Sequence, residues 1–281
     1  MKSFSFHTNH RKREKSPETR IKLIPLTGTQ SRSEILKKIE ISSQFNMRYR
    51  GLYEYYGDDL IAYKKENPTD YFRNEFLRTF SSYLTDYLED NMPASWHKCK
   101  KSFTELLLLI HLPNALKISK ERNSMQHFIS EFKNFSIWLD HKEKTMWTKM
   151  LASYEQTFHE LKLCEELLNR LYLQMYPRFF ASDWDYQKDL SRVSQLLEKC
   201  TEVEDNFFQI NTIDRRDTVY FSNLHTKKQF QVNNFPIEEK FLGLILHGSI
   251  GRLEGHSSWS LLLTAGVYPM RAKRYLTLRE N

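Results

Sequence analysis

Apolar positions along this chain change their period once, near residue 217, and that change divides the sequence into two parts. From Thr69, after Asn67-Pro68, Phe72, Phe76, Phe80, Tyr83 and Tyr87 recur at steps of three and four. That spacing predicts an amphipathic helix, capped by Thr69 or Asp70 and ended by Asn91-Met-Pro93. Similar stripes predict helices over Lys101–Ile110, broken near Pro113, and over Ser124–Leu139. A longer one runs from Lys142 to about Tyr176, where Pro177 stops it. Held unbroken, it predicts a spine roughly 50 Å long. Two further helices are expected, one from Ser31 or Ser33 to Ile41 and one capped by Asp183 and reaching about Val203.

The period then becomes two. Val219 alternates with Phe221 and Phe230 with Val232, while Phe241–His247 and Ser258–Thr264 are apolar runs of strand length. Asn233-Asn234, Pro236 and glycines at 243, 248, 251 and 255 supply turns and bends. The pattern predicts an α+β protein: a predominantly helical bundle with a small C-terminal antiparallel β module, barrel-like or sandwich-like. The expected divisions are a disordered basic arm over 1–20, a helical domain over 21–205, and a β-rich module with a basic tail over 206–281. Asp214-Arg-Arg-Asp217 marks an exposed turn at the junction.

Composition fits this division. Gly and Pro, eight each in 281 residues, are too few for an all-β chain rich in tight turns. Three cysteines, Cys99, Cys164 and Cys200, form no disulfide framework and no zinc-spaced pair. No continuous apolar leader and no membrane-length apolar run is visible, so the expected setting is cytoplasmic.

Charge sharpens the picture. The formal charge of +7 is confined to one end. Residues 1–38 hold ten Lys or Arg against three Glu, and the remaining 32 basic and 32 acidic residues cancel. Arg11, Lys12 and Arg13 in the arm, Arg48, Tyr49 and Arg50 in a Tyr/Arg-rich stretch, and Arg252, Arg271, Lys273 and Arg274 near the C-terminus are the candidate binding residues. Such groups suit phosphates, acidic surfaces or a protein partner.

Catalytic signatures are weak. His247-Gly-Ser-Ile-Gly251 lacks the phosphate-loop pattern, and Gly255-His-Ser-Ser-Trp259 is not a nucleophile elbow. Asp183 and Asp185 are two residues apart and do not face each other on a helix. His97-Lys-Cys99 lacks a partner pair for zinc, and the Arg, H-x-x-R and Tyr set of a site-specific recombinase is missing.

Three readings follow. The first is a non-enzymatic binding or regulatory protein that contacts nucleic acid or a protein partner. The second is an enzyme with a site between bundle and β module, built from His247, His256 and Asp214 or Asp217. The third is a subunit of a protein assembly, a homo-oligomer whose aromatic faces are completed by self-association. No cofactor, metal or membrane span is expected.

Overall fold

The computed structural model describes residues 32–121, 123–214, 218–236 and 238–276. The Arg11-Lys12-Arg13 run and Asp217 lie outside the described residues, as does the side chain of Asp214. The architecture is α+β, a helical bundle followed by a five-stranded barrel.

α1 (Arg32–Ser43) leads through a 3-10 turn, Tyr49–Tyr53, into α2 (Tyr55–Glu66). The Tyr/Arg-rich stretch is therefore largely helical. A Cβ on Gly57 would lie 2.1 Å from the Gly51 carbonyl oxygen, so this crossing of 3-10 turn and helix requires glycine. α3 (Tyr71–Ser82) starts where expected, with the Asp70 carboxylate accepting the Arg73 N–H at 3.1 Å. Its Phe76, Leu77 and Phe80 are buried, and a π turn, Tyr83–Tyr87, continues it.

α4 (Lys101–Leu106) does not stop at Ile110. The chain remains helical through a π turn, Leu107–His111, and α5 (Leu112–Ala115) takes Pro113 in its first turn. There a missing N–H costs little.

The expected 50 Å spine is broken. α6 (Ser124–Glu143) ends at Lys144, whose φ of 54° is left-handed. The Asp140 carboxylate then accepts the N–H groups of Trp147 (2.7 Å) and Thr148 (2.9 Å) and starts α7 (Trp147–Ala152). A second interruption precedes α8 (Glu155–Met175), 21 residues and roughly 32 Å long. The Glu165 carboxylate locks α8 antiparallel to α6 by accepting the N–H groups of Ser124 (2.9 Å) and Met125 (3.1 Å).

α9 (Tyr186–Glu198) is capped by Asp185, which accepts the Gln187 N–H at 3.0 Å; Asp183 pairs with Arg178 instead. The helix stops short of the expected Val203, and the residues from Cys200 on are strand. β1 (Cys200–Asp214) begins six residues before residue 206, and Glu202, Glu204 and Asp205 pair along β4. β2 (Thr218–Asn223), β3 (Gln229–Asn233), β4 (Ile245–Leu253) and β5 (Trp259–Tyr268) close the barrel in the order β1-β2-β3-β5-β4. Four pairings are antiparallel. The closing one, β3 with β5, is parallel over Val232↔Trp259 and Asn233↔Ser260, so the module is mixed and not purely antiparallel. This is the Greek-key arrangement of an OB-type barrel.

α8 joins the two cores. Phe158 and Leu161 in its first half pack with Phe76, Phe80, Phe132 and Phe135 of the bundle. Cys164, Leu167, Leu168 and Leu171 in its second half pack with Phe208, Phe221, Phe230 and Phe241 of the barrel. Beyond β5, a 3-10 turn (Met270–Ala272) and α10 (Lys273–Leu276) form a strap back across the bundle. Its Ala272 and Leu276 are buried with Leu109, Ile110, Ile245 and Tyr268. Among the described residues no helix is long and apolar enough to cross a membrane.

Candidate functional site

The groups proposed for catalysis do not converge. His247 stacks on Phe207 with ring centroids 4.3 Å apart, and its Nε2 is 3.9 Å from Asp205 Oδ1. Burial lowers its pKa, and the Asp205 charge opposes that only in part. Ser249 Oγ donates to Asp205 Oδ2 at 3.0 Å, so the carboxylate lies between serine and histidine. A nucleophilic serine needs the imidazole against its hydroxyl, and this order withholds it. His256 sits in the exposed turn after Leu253, which pairs opposite Cys200, whereas Asp214 pairs opposite Thr218 at the other end of β1. Fourteen residues of strand separate those two registers. Among the described residues no group of three His, Cys, Asp or Glu is placed to hold a metal ion.

The candidate binding residues divide into two kinds. Some are held in isolated surface pairs. Arg48 pairs with Asp86 at 2.7 Å and Arg50 with Glu54 at 3.8 Å, while the Tyr49 hydroxyl shares a 2.5 Å hydrogen bond with Tyr53. Arg252, at the end of β4, pairs with Glu202 and lies 6.0 Å over the Trp259 ring. The structure does not bring these residues together.

Arg271, Lys273 and Arg274 belong to the strap, and the strap meets the bundle at one buried carboxylate. Glu105 of α4 is 4% exposed. Its Oε2 accepts the Tyr275 hydroxyl at 2.7 Å. Its Oε1 pairs with Arg274, with Arg271 at 3.6 Å and with Lys101, one turn earlier, at 3.8 Å. Arg271 also donates to Thr157 Oγ1 at 3.2 Å and lies 5.7 Å over the Tyr154 ring. The Met270 N–H donates to Glu160 at 3.2 Å, and Lys273 Nζ reaches Gln209 Oε1 on β1 at 3.0 Å. Burial pushes the Glu105 carboxyl up, but the Tyr275 and Arg274 hydrogen bonds and the charges of Arg274 and Lys101 together hold it below its ordinary value. It stays ionised at neutral pH.

Other exposed cations lie on adjoining segments. Lys98 and Lys100 are exposed and immediately precede Lys101. α7 carries exposed Lys149 to this end of the bundle, because its neighbour Met150 receives the Thr104 hydroxyl at an Oγ1–Sδ distance of 3.4 Å. Three cations from two distant segments contact Glu105, namely Lys101, Arg271 and Arg274. The Arg271 and Arg274 side chains keep 35% and 50% of their surface exposed, so their outer donors remain open to a second anion. By contrast, the groove between α6 and α8, about 340 Å³, is mixed in charge, with Lys133 held by Glu155 at 2.7 Å.

Sequence reasoning found Arg271 and Arg274 but missed Lys101 and the carboxylate that pairs with all three. The available signal was three lysines within four residues at a helix start, read only as flanks of His97 and Cys99. No family model, no curated protein and no solved structure matches this chain.

Proposed function

We propose that this chain is a non-enzymatic binding protein that holds a phosphate-bearing polymer, a nucleic acid, on the cation cluster around Glu105. The carrying observation is the contact of three cations, Lys101, Arg271 and Arg274, with one buried carboxylate, with Lys98, Lys100 and Lys149 exposed on adjoining segments. Glu105 orients two guanidinium groups without neutralising the cluster, and fixed, half-exposed arginines suit phosphate oxygens. The barrel adds support by architecture alone, since OB-type barrels commonly bind oligonucleotides or oligosaccharides. Arg11, Lys12 and Arg13 enter the same reading as a second set of phosphate contacts.

The test is a fluorescence-anisotropy titration of a labelled oligonucleotide with the full chain and with a variant carrying Lys98→Glu, Lys100→Glu and Lys149→Glu. These side chains are exposed, so the fold is retained. Reversing three charges weakens binding by at least about tenfold at moderate salt. Equal affinity of the two proteins refutes the cluster as the phosphate site. Removing residues 1–20 gives a smaller loss, and no loss would exclude the arm.

A further inference from the structure

We infer that the groove between α6 and α8 is a second binding site, which takes a small monocarboxylate with an apolar, ring-sized body. The inference is independent of the phosphate-binding reading and uses no residue of the strap.

Geometry is the first argument. Each helix turns one face to the groove, through positions 126, 129, 130 and 133 of α6 and 155, 158, 159 and 162 of α8. Ile129 and Phe158 are buried and form the floor. Gln126, Ser130, His159 and Lys162 are exposed and stand along the rim. Both ends are pinned. At one, the Glu165 carboxylate accepts the N–H groups of Ser124 and Met125. At the other, Lys133 pairs with Glu155 at 2.7 Å, its ammonium 5.3 Å over the Phe158 ring. The hollow is therefore preformed. Its volume, about 340 Å³, lies at the small end of the roughly 300–1,000 Å³ usual for small-molecule sites. Two helical turns of length, about 10 Å, admit a body of one or two rings.

Charge is the second argument. The carboxylates next to the groove are already engaged. Glu155 is held by Lys133. Glu166, one turn beyond Lys162 on α8, is held by Arg170 and by Lys240 at 2.7 Å. Among the described residues no ion pair or hydrogen bond takes up the side chains of Lys162, His159, Ser130 or Gln126. The groove thus offers one uncompensated ammonium and several neutral hydrogen-bonding groups above an apolar floor. A single carboxylate matches that set. Its oxygens take Lys162 and a neighbouring neutral donor, while its apolar body covers Ile129 and Phe158. A phosphate monoester carries more than one negative charge at neutral pH, and one ammonium leaves it under-neutralised. A cation is repelled by Lys162, and a neutral body leaves that ammonium unused.

The experiment is isothermal titration calorimetry of the full chain with naphthoate, with its neutral counterpart naphthamide, and with naphthyl phosphate. Each is repeated with Lys162→Ala and with Ser130→Trp, both exposed helix positions where the fold is retained; the indole fills the hollow. Expected is one naphthoate per chain, with naphthamide and naphthyl phosphate each weaker by about fivefold or more. In Lys162→Ala, naphthoate affinity falls to that of naphthamide, which is itself unchanged. Ser130→Trp removes naphthoate binding. The combined Lys98→Glu, Lys100→Glu and Lys149→Glu variant binds naphthoate as the unaltered chain does, because those positions lie outside the groove. If naphthoate does not bind the unaltered chain, the site falls. If naphthamide binds as tightly as naphthoate, or naphthyl phosphate binds more tightly, the match to one carboxylate falls. If neither Lys162→Ala nor Ser130→Trp changes naphthoate affinity, binding is elsewhere and the groove falls as well.

Discussion

Replacing Glu105 with Gln changes one atom and removes the charge on which the strap is anchored. Glu105 is 4% exposed and its partners are unequal. The Tyr275 hydroxyl at 2.7 Å donates a charge-assisted bond, and such bonds contribute about 1.5–3 kcal/mol. Gln retains an acceptor there, so roughly half of that contribution survives. The Arg274, Arg271 and Lys101 pairs lie on side chains 50%, 35% and 68% exposed, and pairs so hydrated contribute roughly 0.2–1 kcal/mol each. Together Glu105→Gln costs about 2 kcal/mol, or about 4–8 °C in Tm for a chain of this size. The sign of the pH dependence follows from the lowered carboxyl pKa. The contribution is full above the unfolded value, about 4.3, and is lost as pH falls through the lower folded value. Urea unfolding of both proteins at pH 7 and in acid measures this. A difference under about 0.5 kcal/mol at pH 7, or one that grows in acid, would refute Glu105 as the strap's anchor.

Three further outcomes are expected. Leu167 on α8 is fully buried in the barrel core, so Leu167→Ala costs about 2–5 kcal/mol; because α8 serves both cores, far-UV dichroism and tryptophan fluorescence should melt in one transition, and two separate transitions would count against the shared spine. Burial lowers the His111 pKa to about 4, opposed in part by the Thr79 carbonyl. This contribution to stability is full above about pH 6.5 and falls by on the order of 3 kcal/mol as pH approaches the folded value, and an imidazole titrating near 6.5 by NMR would contradict it. At Gly248 a Cβ would meet the Leu263 carbonyl oxygen at 2.2 Å, so Gly248→Ala costs at least about 2 kcal/mol in thermal unfolding, whereas a neutral effect would mean the β4–β5 approach is looser than it is drawn.

What could be read in advance was what depends on near neighbours. The Asp70 cap and the Phe76–Phe80 stripe are local, and so are the alternations Val219/Phe221 and Phe230/Val232. The broken spine was hidden because the residue that starts α7 is Asp140, seven positions before Trp147 and inside α6. β1 was hidden because Glu202, Glu204 and Asp205 interrupt its alternation and a bulge follows Ile210; its pairing with β4 supplies what local pattern lacks. α2 was obscured by Gly57, whose place is fixed by its packing on Gly51. The cluster was least legible. Glu105 looks like one polar residue in an apolar run, and only the fold brings Arg271, Arg274 and Tyr275 to it.

The most direct test of the central claim is the salt dependence of oligonucleotide affinity. Log affinity falls linearly with log salt, by about 0.7 per single-strand phosphate neutralised. With Lys98→Gln, Lys100→Gln and Lys149→Gln combined, the account predicts a line shallower by about 2 than that of the unaltered chain. Two parallel lines would show that these lysines touch no phosphate, and would contradict it.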